Sequence, residues 1–291
     1  MPDQERLKKS GLVALFCSVG AMLLLPGCPM LVTPDPSPPS LVPCDGDRCA
    51  EGMTCVEGLC VADEPEAFKN ADATRGGSMY DKWWVVVELD EPTGDHPLWA
   101  TRPDTDSNTR TGKDTWRCKE CHGWDYKGVD GAYGGGSHKT GFDGIAGTTL
   151  SAQGVFDSIK TAHGFGDAGL SDADIWDLAK FVLEGVIDTD SMIDADNAFI
   201  GNADAGQTLY DDGTRGNLAC TMCHGADGTD LNFKEPPDEE FLGDLARGNP
   251  WEFQHKVRFG QPGSSMPVGE DVDTTNDEVA AIGAYTQTLA P

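Results

Sequence analysis

The sequence predicts an all-α protein: two tandem helical domains of related sequence set behind a small disulfide-rich knot. Three observations predict this. The pattern Gly-x-x-x-Tyr-Asp followed by Cys-x-x-Cys-His-Gly occurs twice, within 76–123 and within 206–225. Each copy ends on a segment, 170–182 and about 275–289, whose apolar residues recur every three or four positions, the period of an amphipathic helix. Ahead of both copies, four cysteines fall within seventeen residues that offer almost nothing else to bury.

Composition narrows the function before any motif is read. Hydrophobic residues make up 38% of the 291, so a core here needs help from cross-links or a cofactor. Asp and Glu number 49 against 21 Lys and Arg, for a net charge of −28 at pH 7, which excludes nucleic-acid binding through a basic footprint.

The first element is an export signal. Arg6, Lys8 and Lys9 precede the nearly uniform apolar run 10–25, which as a helix spans roughly 24 Å, short of a membrane's hydrocarbon core. The run stops at Leu25-Pro26-Gly27-Cys28, which resembles the lipobox of bacterial lipoproteins, although the proline departs from its commonest pattern. That resemblance implies cleavage of 1–27, lipid on Cys28, and a cell-envelope lipoprotein that faces the periplasm or the outer surface. Cleavage removes one net positive charge and leaves −29. Residues 28–43 follow as anchor and tether, with six prolines in the fifteen positions 29–43, an extended segment that reaches about 45 Å at roughly 3.1 Å per residue.

Residues 44–62 contain Cys44, Cys49, Cys55 and Cys60. In an oxidising compartment they read as two disulfides, with zinc as the competing use, and spacing alone leaves all three connectivities open. The run resembles small EGF-like knots, which implies alternate pairing of Cys44 with Cys55 and Cys49 with Cys60. It carries no catalytic groups and reads as a rigid spacer.

Two motifs carry the function: Cys118-Lys-Glu-Cys121-His122 and Cys220-Thr-Met-Cys223-His224. This is the attachment pattern for c-type haem, in which two thiols one helical turn apart meet the two vinyl groups and the adjacent histidine is aimed at the iron. Chance supplies on the order of 0.01 such motif in a chain of this composition. A zinc ribbon needs its cysteine pairs some 15–20 residues apart, whereas Cys118 and Cys220 stand 102 apart. A thioredoxin-like dithiol has no use for the histidines.

The order of helix, haem motif, loop, helix, ligand loop and helix resembles class I cytochrome c domains over about 72–291, one domain at 72–200 and one at 201–291. The resemblance implies two covalently bound haems c and electron transfer. One departure is plain: Gly206 to Cys220 is 14 positions and Gly76 to Cys118 is 42, so the first copy carries 28 extra residues, read as a longer first helix or a short strand with a surface loop.

The sixth ligand decides the chemistry. Met266, 42 positions past His224 in a glycine-rich loop before the last helix, is the axial methionine that the resemblance implies. The first copy has no methionine in the corresponding stretch. His163, 41 positions past His122, takes that place, with His138 the second candidate and Met192 a poor third. Met222 is badly aimed for its own iron, and His255 reads as a polar surface residue of the preceding helix. A bis-histidine haem sits at lower potential than a His/Met haem, so electrons run from the first to the second. The expected function is a membrane-tethered electron carrier, its acidic surface steering encounter with redox partners that carry a basic docking patch. The alternative is a dihaem enzyme such as a cytochrome c peroxidase, or the haem subunit of a larger oxidoreductase.

Overall fold

The computed structural model describes residues 42–46, 48–213, 218–266 and 274–290. The signal segment, Cys28 and nearly all of the proline-rich tether lie outside the described residues. No helix among the described residues is long and apolar enough to cross a membrane. The described residues up to Ala62 and those from Asp63 form two separate compact units.

In the first unit, β1 (Val42–Pro43), β2 (Met53–Val56) and β3 (Leu59–Ala62) form an antiparallel sheet in the order β1-β3-β2. The β2–β3 hairpin turns at Glu57 and Gly58, both with positive φ, as a two-residue turn that matches strand twist requires. Cys55 and Cys60 face each other across it. Each is bonded to a loop cysteine, giving the disulfides Cys44–Cys55 and Cys49–Cys60, the alternate pairing. All four sulfurs are thereby occupied, and none is left as a thiolate for zinc.

The second unit is helical. Its first half contains α1 (Glu66–Lys69), α2 (Ala73–Val86), α3 (Cys118–His122), α4 (Ala152–Asp157) and α5 (Asp172–Lys180). The second half contains α6 (Ala203–Asp212), α7 (Thr221–His224), α8 (Leu242–Gly248), α9 (Pro250–Phe259) and α10 (Asn276–Thr286). Capping explains where several of these begin. Asp72 accepts from the Thr74 and Arg75 N–H groups at the start of α2. Ser171 with Asp174, and Thr275 with Glu278, form capping boxes at α5 and α10.

The repeated sequence pattern builds repeated contacts. A Cβ on Gly76 would stand 2.1 Å from the Asp177 carbonyl oxygen, and one on Gly206 would stand 1.9 Å from that of Ala281. Each glycine therefore lets the first helix of its half cross the last at close range, α2 over α5 and α6 over α10. Four residues on, the Tyr80 hydroxyl donates to the Gly123 carbonyl and the Tyr210 hydroxyl to that of Gly225, both at 2.7 Å. The first helix is thus tied to the glycine that follows each motif histidine.

The extra residues of the first half are partly a longer helix. Helix α2 runs on through Trp83 and Trp84 but kinks at Lys82, the position that corresponds to Asp212, where α6 ends. The rest folds as the short 3₁₀ turns 97–101 and 112–116, with Trp99 and Thr115 buried.

The halves pack through α9. Gly77 accommodates the ring of Phe259, Ser78 Oγ donates to the Phe259 carbonyl at 2.6 Å, and an aromatic cluster of Tyr80, Trp124, Tyr126 and Phe181 closes around Phe259. Here the surface assignment of His255 is wrong. The imidazole is fully buried, with Nδ1 accepting from the Tyr126 hydroxyl at 2.8 Å and Nε2–H donating to the Gly77 carbonyl at 3.0 Å. Both faces of α9 are covered, one by its own half and one by α2, so polarity did not mark exposure.

Burial, reinforced by Lys256, pushes His255 down to about 3. The unfolded chain takes up this proton below about pH 6.5 and the folded chain does not until about pH 3, so stability is lost as pH falls through that window. The loss is on the order of 5 kcal/mol over the whole range. Urea midpoints measured from pH 7 to pH 4 should fall steeply for the natural chain and less steeply for His255→Gln. Equal slopes would remove the buried neutral imidazole from the account.

Candidate haem sites

The first motif opens onto a cavity of about 240 Å3, bordered by Cys118, Cys121, His122 and His163 and otherwise walled mainly by apolar side chains, among them Ile145, Val155, Leu178 and Val182. Helix α3 is a single turn, so it presents both thiols to one side and His122 next to them. Gly123, with φ of +78°, turns the chain away at once. Both cysteines are free, and burial pushes each thiol up to about 12, so they stay protonated at neutral pH.

The two histidines are oriented alike. His122 Nδ1–H donates to the Asp143 carbonyl at 2.7 Å, and His163 Nδ1–H donates to the Ser158 carbonyl at 2.9 Å. Fixing the proton on Nδ1 leaves Nε2 as the lone-pair nitrogen, as a metal-binding imidazole requires. Burial pushes His122 down to about 4, which keeps it neutral. The ring centroids are 6.1 Å apart. His163 follows the π-helical turn 158–162, which directs Ser158 O at its ring.

Residues 110–185 match the family model for cytochrome c. No curated protein and no solved structure matches the chain. The cytochrome c domain so defined contains Cys118, Cys121, His122 and His163 and ends before the second motif. Such a domain implies a covalently bound haem c and haem-based electron transfer. The residues fit that group: two unpaired thiols, two imidazoles with free Nε2 atoms and an apolar wall meet at one cavity.

The other candidates for the sixth ligand of the first haem are committed elsewhere. His138 packs at a tilt against Tyr133 with ring centroids 4.7 Å apart, lies 3.1 Å from Glu120 Oε1 through Nδ1, and is 2.9 Å from an Arg110 nitrogen. Met192 is buried in the core of the second half.

The second motif is built on the same plan up to its histidine. Gly225 has φ of +76°, and the His224 carbonyl accepts from Asp230 N–H as that of His122 does from Gly128 N–H. Burial pushes the Cys220 thiol up to about 11 and lowers His224, whose Nδ1 is buried without a hydrogen-bond partner. Met222 is 67% exposed and points away from any core. Met266 is partly buried on the loop after α9, its N–H bonded to Ser264 Oγ at 3.2 Å. Residues 267–273, between Met266 and α10, lie outside the described residues.

Proposed function

We propose that this chain is an electron carrier with two covalently attached haems c, held at a membrane surface by lipid on Cys28. In this reading a bis-histidine haem on Cys118, Cys121, His122 and His163 has the lower potential. It passes electrons to a His/Met haem on Cys220, Cys223, His224 and Met266. The observation that carries it is the His122–His163 pair. Two imidazoles that held one metal ion from opposite sides, each at about 2 Å and with ring radii of about 1.1 Å, would have centroids roughly 6.2 Å apart, and the two rings are at 6.1 Å.

A haem c supplies a one-electron iron couple. The chain's own residues hold two imidazoles in fixed tautomers, exclude water with an apolar wall and keep both thiols out of disulfides. The repeat of the Gly76 and Tyr80 contacts at Gly206 and Tyr210 supports a second haem domain, 201–291, beside the first, 72–200. The net charge favours a basic redox partner.

Intact mass of the exported protein tests the whole reading, since it counts haems, disulfides and lipid together. One haem instead of two would end the dihaem proposal. The ligand assignment has its own test: the oxidised protein should show the weak far-red methionine-to-iron band for one haem only, and Met266→Ala should abolish it.

A further inference from the structure

The insert of the first half returns over the haem cavity, where His96, Leu98, Thr115 and Trp116 form part of the wall. His96 is 7% exposed. Its backbone N–H donates to Thr115 Oγ1 at 2.7 Å, and its ring Nδ1 accepts from the Leu98 N–H at 3.1 Å. The ring is set between Trp116, at a centroid distance of 4.5 Å, and Phe165, at 5.4 Å. Trp116 lies two residues before Cys118, and Phe165 lies two after His163.

With Nδ1 used as an acceptor, the neutral ring carries its proton on Nε2. That atom is buried and has no hydrogen-bond partner. A buried donor of this kind is an exception in a folded protein and calls for an acceptor. His163 borders the same cavity, and its backbone is near enough to act on the His96 ring. The second half lacks the insert and has no histidine at a corresponding sequence position.

We propose that His96 is a positioning residue for the distal ligand of the first haem: its Nε2–H closes onto the His163 carbonyl when the cofactor is seated and holds the ligand loop in place. The insert is then a latch that keeps the sixth position filled and foreign ligands out. The proposal rests on the bis-histidine reading of this site.

The test uses the full-length protein with its haems attached and follows cyanide binding to the oxidised first haem. His96→Phe keeps a ring against Trp116 and Phe165 and removes the donor, and His96→Gln restores an N–H. Cyanide should bind about five- to tenfold faster in His96→Phe, the size of one lost buried hydrogen bond, and within about twofold of the natural rate in His96→Gln. An unchanged rate in His96→Phe overturns the latch, as does equal acceleration in both variants. If His96→Phe does not accumulate, Thr115→Val loosens the same segment with the imidazole retained and should accelerate binding in the same direction; no change there overturns the proposal. A natural protein whose first haem is high-spin would refute the bis-histidine reading itself, an outcome distinct from a low-spin haem indifferent to His96.

Discussion

On the proposed dihaem reading, His163→Ala is expected to turn the first haem from a closed, low-spin centre into an open, high-spin one that binds carbon monoxide and cyanide readily, while the proposed second haem stays low-spin. Among the described residues the site holds no ready substitute. His163 is the ring that stands opposite His122. His138 is held by Glu120 and Arg110 outside the cavity wall, and Met192 belongs to the core of the other half. His163→Met is the complementary change: it keeps six ligands but exchanges an imidazole for a softer thioether, so the potential of this haem should rise on the order of 100 mV. Optical spectra and a redox titration read both outcomes. A His163→Ala protein that remains low-spin with an unchanged potential would show that another side chain occupies that face.

Asp81→Ala should destabilise the helical unit by about 3–5 kcal/mol, the cost of leaving buried cations without their anion. Asp81 on α2 is fully buried and accepts from Arg117, with Nε at 2.6 Å, and from Lys256 of α9. One carboxylate therefore ties the segment before the first motif to the second half. Burial alone would raise its pKa, but Lys256 and Arg117 outweigh it and hold the group well below the usual carboxylate range. A depressed carboxylate contributes stability that is present above about pH 4 and lost as pH falls further. Glu120, also buried, is disfavoured by burial but held down to about 2 by His138, Lys119 and Asn108, and acts in the same direction. Chemical denaturation at pH 7 should show the full loss for Asp81→Ala, and the gap to the natural protein should narrow below pH 4. A change under about 1 kcal/mol would mean that water reaches the cluster.

Much of the site was legible because its chemistry is local. Cys118, Cys121 and His122 lie within one helical turn, and no tertiary information is needed to see that they point one way. The caps Ser171 and Thr275 were legible for the same reason, since a cap and its partner are three residues apart. His255 was misread because it sits on a helix with an apolar stripe elsewhere, and only the second layer of packing, through Gly77 and Tyr126, covers its polar face. The paired glycines hinted at this: Gly76 has a counterpart in Gly206, whereas Gly77 corresponds to Gln207 and serves the contact with Phe259. His96 was not singled out at all. It lies in an irregular insert with no periodicity, and its place in the cavity wall depends on Thr115 and Trp116, some twenty residues downstream.

The amino-acid sequence by itself determined the attachment chemistry, the candidate ligands and the helical class, because each rests on residue type and spacing within a few turns of chain. The tertiary structure alone decided that His163 and not His138 meets His122, that the insert walls the cavity, and that α9 joins the halves through buried charges. These depend on which distant surfaces approach within hydrogen-bonding range, and that is set by close packing and the satisfaction of buried polar groups over the whole fold.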